Sequence, residues 1–326
     1  MSLIIIKPGF QTTIQDLGRI GFKRSGVPES GCMDRFSARI ANILCGNNEQ
    51  DAVLEMVLHG VELLTLIPLM AVFSGGGAQP TINSQPIPLN RPVYIPVNST
   101  ILTLPASNGM RLYLAIAGGF NKPIVLNSRS TYLPAGAGTE LIVGNVLEAG
   151  IASDLSKNIC NKIINNRYSI SIAKWGLSSN SISYQTDSIK ITKGLEWNKF
   201  TPEAQKDLLT DSFCILPQSN RMGYRLKGKA LKMVEKFEMI STAVARGTIQ
   251  VTPDGNPLIL MADAQTTGGY PRIGQVTETD MDILAQKRPG ESIYFELVSL
   301  ESSIDNLVAQ EQKIKQITHA VSILFN

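Results

Sequence analysis

Histidine is almost missing from this chain, and chemistry that depends on it is disfavoured accordingly. The two that occur, His59 and His319, fall beside a turn glycine and in a helical tail, so a Ser-His-Asp or Cys-His system is not expected. The four cysteines, Cys32, Cys45, Cys160 and Cys214, are widely separated and form no Cys-x-x-Cys pair. That spacing argues against a zinc site or a disulfide frame, and each reads as a small buried hydrophobe. No His, Cys and carboxylate cluster has metal-ligand spacing, so no metal is expected. Charge is scarce at 17%, and 30 basic against 27 acidic side chains leave +3 with no run of Lys or Arg. Nucleic acid and an anionic membrane surface are therefore not expected partners. No apolar run reaches spanning length; residues 61–73 come nearest and are interrupted by Glu62 and Pro68. The N-terminus lacks a basic n-region and a long apolar h-region, so a cytoplasmic protein is expected. Gly75-Gly76-Gly77 follows a strand-like run but lacks the Gly-Lys-Ser/Thr continuation of a phosphate loop, which leaves a tight corner of a barrel as the favoured reading and a backbone nest for an anion as the other.

What is present is a large core and many short strands. At 43% hydrophobic, 326 residues make one large or two ordinary domains. Apolar runs at 53–58, 63–66, 70–73, 93–97, 101–104 and 110–116 are separated by Gly, Pro and Asn, the pattern of a barrel or sandwich. Asn108-Gly109 predicts a hairpin between the last two. Asp34 suits a helix cap ahead of Phe36, Ile40, Ile43 and Leu44, and Thr201-Pro202-Glu203 has the signature of a helix start. Thr279 predicts a short helix to Leu284, and residues 302–325 carry apolar side chains at helical spacing. Thr248 to Val251 and Leu258 to Met261 form a predicted hairpin around Asp254-Gly255. Residues 152–167, polar and Asn-rich, read as a linker. The expected division is an N-terminal β-rich domain over 1–160, a barrel domain over 161–300 and a helical tail over 301–326.

Candidate functional residues gather where strands end. Gln218-Ser219-Asn220-Arg221-Met222-Gly223-Tyr224 and Asp263-Ala264-Gln265-Thr266-Thr267-Gly268-Gly269-Tyr270 each follow an apolar run and deliver amides, hydroxyls, Arg and Tyr to a loop. Near the N-terminus, Gln11-Thr12-Thr13-Ile14-Gln15-Asp16-Leu17-Gly18-Arg19 repeats the same chemistry. Arg and side-chain amides suit bidentate binding of a planar carboxylate, amide or phosphate and can stabilise an oxyanion. Among the carboxylates, Asp34 and Asp254 read as a cap and a turn, whereas Asp16 and Asp263 suit a site or a structural role equally.

These motifs carry a resemblance. The Gln11 to Arg19 run, Gly26-Val27-Pro28 with Ser30-Gly31-Cys32-Met33-Asp34, Gln218 to Leu226, Gly247-Thr248-Ile249-Gln250-Val251 with Pro253-Asp254-Gly255, and Gln265 to Pro271 are similar to the 5-oxoprolinase C-subunit family. That family is also described as KipA-like, biotin-dependent carboxyltransferase or allophanate hydrolase subunit 2. The match runs in order over residues 3–298. It implies a mainly β, two-part cyclophilin-like β-barrel architecture with a few short helices and a C-terminal helix.

The resemblance also implies a hetero-oligomeric enzyme. A KipI-like B subunit and an A subunit would act with this chain to open 5-oxoproline to glutamate, using ATP in the complex, with no covalent cofactor and no activity of the isolated chain. The alternatives are a non-catalytic regulator that binds a KipI-like histidine-kinase inhibitor, and the carboxyltransferase part of a urea carboxylase-like enzyme. No biotin-attachment lysine in a Met-Lys-Met setting and no ATP-grasp signature occurs here, so biotin chemistry would need another chain. Arg221, Asp263, Gln265 and Tyr270 are the candidate catalytic residues. Gln11, Asp16, Arg19, Gln218, Asn220, Tyr224, Thr266 and Thr267 are the candidate binders of a small amide or lactam. Arg221 is expected to pair with a substrate carboxylate or phosphorylated intermediate, and Gln265 and Thr266 to hold the amide. Family members often carry Asp where this chain has Asn220, which keeps a hydrogen-bond acceptor but loses the charge.

Overall fold

The computed structural model describes residues 1–178, 184–235 and 239–325, and these form two compact units. One comprises Met1–Gly18, Asp34–Tyr184 and Gln312–Asn326; the other comprises Arg19–Met33 and Gln185–Glu311. The linear division expected at 160 and 300 is not how the chain clusters. Residues 19–33 group with the second unit, and the C-terminal helix is divided between the two.

The first unit is built from two six-stranded sheets. Its strands are β1 (Leu3–Pro8), β2 (Gln11–Gln15), β3 (Val53–Val57), β4 (Val61–Thr65), β5 (Leu69–Gly75) and β6 (Ala78–Ile82). There follow β7 (Gln85–Pro86), β8 (Pro92–Ile95), β9 (Thr100–Pro105), β10 (Arg111–Ile116), β11 (Val146–Leu147) and β12 (Ser171–Ile172). One sheet runs β11-β1-β4-β9-β6-β7 and the other β12-β8-β5-β10-β3-β2. Period-two alternation shows in β1, where Leu3 and Ile5 are buried and Ile4 and Ile6 only half so. Both sheets turn such residues into one core, with Leu3, Ile5 and Leu63 from the first and Leu54, Phe73, Leu112 and Leu114 from the second. The opposite face of β5 and β10 is covered by helix α1 (Arg35–Leu44), so these strands are buried on both faces. Asp34 caps α1, its Oδ1 accepting from Ser37 N at 2.8 Å, as its sequence predicts.

Two expectations in this unit are corrected. Asn108-Gly109 does not join a hairpin: β9 pairs with β4 and β6, whereas β10 pairs with β3 and β5, so the turn carries the chain from one sheet to the other. The segment 152–167 is not a bare linker but holds helix α2 (Asp154–Ile163). Ser153 caps it, and Ser156, Ile159 and Ile163 form its buried face. The glycine run does form a tight corner. Gly77 has φ +82°, and a Cβ there would stand 2.5 Å from the Met110 carbonyl carbon.

The second unit contains a closed seven-stranded barrel in the order β13-β20-β17-β18-β15-β14-β21. These are β13 (Ser188–Lys193), β14 (Phe213–Ile215), β15 (Gly223–Lys227), β17 (Thr248–Val251), β18 (Pro257–Leu260), β20 (Arg272–Val276) and β21 (Ser292–Leu297). Parallel pairing of β13 with β21 closes the barrel; the other neighbours are antiparallel. Ile189, Ile191, Phe213, Ile215, Ile249 and Phe295 belong to its core. A two-stranded piece, β16 (Thr242–Ala243) with β19 (Thr267–Gly268), lies outside the barrel's pairing. The expected β17–β18 hairpin is present. Helix α3 (Pro202–Thr210) begins at its Thr201 cap, as expected. Helix α4 (Glu278–Ala285) starts two residues before the expected position: Thr277, not Thr279, is the N-cap, and its carbonyl accepts from Met281 N at 3.1 Å. Helix α5 (Leu300–Phe325) supplies the expected C-terminal helix. No helix among the described residues is long and apolar enough to cross a membrane.

Candidate functional site

The two loops singled out by sequence are brought together by the ladder between β15 and β18. Gly223 stands opposite Leu260, and the backbone pairing continues beyond both strand ends. Met261 N donates to Met222 O at 3.1 Å, and Asp263 N to Arg221 O at 2.8 Å. This register sets Arg221 against Asp263. Before it, Asn220 folds its side chain onto the backbone: Oδ1 accepts from Met222 N at 2.8 Å and Gly223 N at 3.3 Å. Asn220 therefore shapes the turn that aims Arg221.

Arg221 is only 6% exposed. Its Nε donates to Asp263 Oδ2 at 2.8 Å and its Nη2 to Asp263 Oδ1 at 3.0 Å, a bidentate fork. Nη2 also donates to the Gly31 carbonyl at 2.7 Å. Ser30 Oγ donates to Asp263 Oδ1 at 2.6 Å, and Ser30 N to Ala262 O at 3.0 Å. Three loops of the second unit are thus fastened at one buried ion pair. A substrate carboxylate at Arg221 would have to compete with Asp263 for the same guanidinium edge.

Beyond this clamp the 263–270 loop turns outward. Gln265 and Thr267 are exposed, Thr266 is half-buried and Tyr270 is exposed. The loop is held by Val244 N donating to Thr266 O at 3.0 Å. Under Gln265 and Thr266 lies an open recess of about 250 Å³, adjoining solvent included, lined also by Lys23, Glu29, Arg246 and Ala262. Lys23 Nζ pairs with Glu29 at 2.9 Å. Arg246 is 8% exposed; its Nη1 donates to Glu278 at 2.5 Å and its Nη2 to the Met33 carbonyl at 2.8 Å, with Asp282 at 3.9 Å. Lys23, Glu29 and Arg246 were not legible as site residues. Arg246 has one signal, its place just before the Gly247-Thr248 strand start.

The remaining expected residues lie elsewhere. Gln218 is exposed on its loop, and Tyr224 points into the barrel core at 2% exposure. Arg19 belongs to the second unit and is buried, its backbone N donating to Glu29 O at 2.6 Å. Gln11 and Asp16 belong to the first unit. Gln11 is exposed, while Asp16 is buried and accepts from Gly18 N, Ser128 Oγ, Ser130 Oγ and Arg129 N at 2.5–2.8 Å. Among the described residues no group of three or more His, Cys, Asp or Glu side chains is gathered to hold a metal.

Known proteins share this arrangement of strands and loops. The model of the carboxyltransferase domain, subdomain A and B, matches residues 25–297. The chain is 35% identical over 311 residues to a Haemophilus influenzae protein named as the C subunit of 5-oxoprolinase, covering 95% of this chain and 96% of that one. Its identity to the Escherichia coli protein of the same name is 32%, over 97% of each. The solved urea amidolyase of Kluyveromyces lactis superposes with a TM-score of 0.85 at 27% identity, over 97% of this chain but 20% of that one. Five solved chains that match are longer, and this chain spans 20–56% of their length. The chain belongs to the carboxyltransferase domain family, subdomain A and B, alongside its relatives named as the 5-oxoprolinase C subunit.

Proposed function

We propose that this chain is the C subunit of an ATP-dependent 5-oxoprolinase, which opens 5-oxoproline to glutamate together with a KipI-like B subunit and an A subunit. The observation that carries this reading is length: the relatives named for this role correspond to the chain nearly end to end. Opening a lactam requires its carbonyl to be polarised, its N–H to be met by an acceptor and its carboxylate to be held. Gln265 and Thr266 would hold the amide at the recess, with Thr267, Tyr270 and Gln218 around its mouth. The Arg221–Asp263 pair would act by fixing the loops that present them. Asn220 supports the pair through its turn, and Tyr224 supports it from the core. Arg19, Gln11 and Asp16 are assigned to the same function through the polar loop they belong to. ATP use is assigned to the assembled complex, and the protein is assigned to the cytoplasm.

A second reading is carboxyl transfer within a urea carboxylase-like assembly, favoured by the TM-score of 0.85 to urea amidolyase. Glutamate release separates the two. The purified chain is mixed with its two candidate partner subunits and 5-oxoproline, with or without ATP. Release that needs ATP and this chain supports the proposal; no release from an assembled complex overturns it.

A further inference from the structure

Helix α5 begins where the two parallel strands that close the barrel end. β13 finishes at Lys193 and β21 at Leu297, and an open groove of about 820 Å³, adjoining solvent included, is lined by Thr192, Lys193 and residues 297–300. Ser299 fixes the first turn of the helix: its Oγ accepts from Ser302 N at 3.1 Å and its carbonyl from Ser303 N at 3.0 Å. Beyond that cap, Leu300 is 63% exposed, Ile304 50% and Val308 47%. They recur every four residues and so form one stripe on an anchored helix. Scattered exposed aliphatic side chains are ordinary, but three in register beside a groove make an unfilled apolar surface.

The helical period places this stripe. At about 100° per residue it runs beside the face turned to the second unit, where Leu307 is half-buried and Gln310 Nε2 donates to Asp282 Oδ2 at 3.3 Å. Glu301 and Asp305, both exposed, flank its other side. Charge then decides what covers it. Residues 289–312 hold five acidic side chains and no Lys, Arg or His, in a chain with 30 basic and 27 acidic residues overall. Lys193, the one cation lining the groove among the described residues, sets its Nζ 5.6 Å from the centroid of the Trp197 ring. A second copy of this stripe would bring Glu301 and Asp305 of both chains together, and an anionic bilayer would meet the same carboxylates. A helix with an apolar face and flanking Lys or Arg meets both the stripe and the acids. The stripe is about 12 Å long, which suits one helical segment and not a broad globular interface.

We infer that the N-terminal half of α5 and the adjoining groove dock a basic amphipathic helix of another protein. Its apolar face covers Leu300, Ile304 and Val308, and its Lys or Arg residues face Glu301 and Asp305. The docking surface lies wholly within the second unit and uses none of the residues assigned to the proposed function, so it stands or falls separately.

The test is fluorescence anisotropy of the full chain with a labelled synthetic helix about four turns long, built of Leu on one face and Lys on the rest. Two further probes are a peptide of the same composition with its helical period scrambled, and one with Glu in place of Lys. The expected result is saturable binding of the Leu–Lys helix, with both other peptides weaker by roughly tenfold or more. Ile304→Asn and Val308→Gln, at exposed positions, should each weaken it roughly tenfold while the urea unfolding midpoint holds. Glu301→Gln with Asp305→Asn should weaken it severalfold and flatten its dependence on salt. Equal binding of the scrambled or Leu–Glu peptide, or unchanged affinity in both apolar variants, overturns the inference. A dimer of the chain alone in sedimentation velocity that Ile304→Asn dissolves overturns it in favour of a second copy. Binding to phosphatidylglycerol vesicles that Ile304→Asn abolishes overturns it in favour of a membrane.

Discussion

Arg221 and Asp263, 42 residues apart in sequence, meet as a buried two-point fork, with Nε to Oδ2 at 2.8 Å and Nη2 to Oδ1 at 3.0 Å. Neither is delivered by a helix or strand interior. Each sits just past the end of a barrel strand, where the β15–β18 ladder carries on for two more backbone hydrogen bonds. The pair therefore converts a sheet register into a fixed geometry for the loops beyond it.

Breaking this pair should destabilise the second unit strongly. Arg221→Ala or Asp263→Ala leaves an uncompensated buried charge, and either is expected to cost about 3–5 kcal/mol in urea unfolding. Arg221→Met combined with Asp263→Leu should recover much of that loss, since it removes both charges together. A single variant costing under about 1 kcal/mol would contradict the clamp, that being the scale of an exposed ion pair.

Asp16 gives a parallel case in the first unit. Its carboxylate gathers the donors of Gly18, Ser128, Arg129 and Ser130. Asp16→Ala should cost roughly 3 kcal/mol or more, several buried donors losing their acceptor at once. Limited proteolysis should then cut within residues 128–131, where Ser128, Ser130 and Thr131 are buried in wild type.

Much of this was legible because its causes are local. Asp34 and Thr201 announce their helices, since a cap needs only its own side chain and the next turn of backbone. The helix over 154–163 was hidden because Asn-rich composition masks a buried face of only Ser156, Ile159 and Ile163. Asn108-Gly109 makes a turn, but whether a turn joins paired strands depends on partners far along the chain. Residues 265–267 could be read as a polar loop. The recess beneath them could not, because Lys23 and Arg246 reach it from distant segments.

The second unit should lose stability in acid through Glu196. Hydrogen bonds from Arg272, Nε at 2.7 Å and Nη2 at 2.6 Å, hold its carboxyl below the usual glutamate range. The folded state thus favours the ionised form. Its contribution is complete above the unfolded value, about pH 4.3, and is lost as pH falls through the lower folded value. Glu196→Gln should flatten that part of the stability profile and leave the profile from pH 6 to 8 parallel to wild type. An unchanged acid limb would contradict the pairing.

Thiol reactivity should follow burial. Burial pushes the Cys45 thiol far up, with Cys160 adding to the effect, and Cys32 is equally inaccessible. Iodoacetamide at pH 8 should leave both unmodified in the folded chain and label them in urea, as read by peptide mass spectrometry. Rapid labelling of Cys45 in the native protein would show that the α1 end is not packed as described.

The most direct test is glutamate release from 5-oxoproline by this chain reconstituted with the KipI-like B subunit and the A subunit proposed as its partners. ATP-dependent release is expected, disappearing when this chain is omitted and falling at least tenfold with Gln265→Ala. Assembly of all three subunits with no release of glutamate would contradict the proposed function.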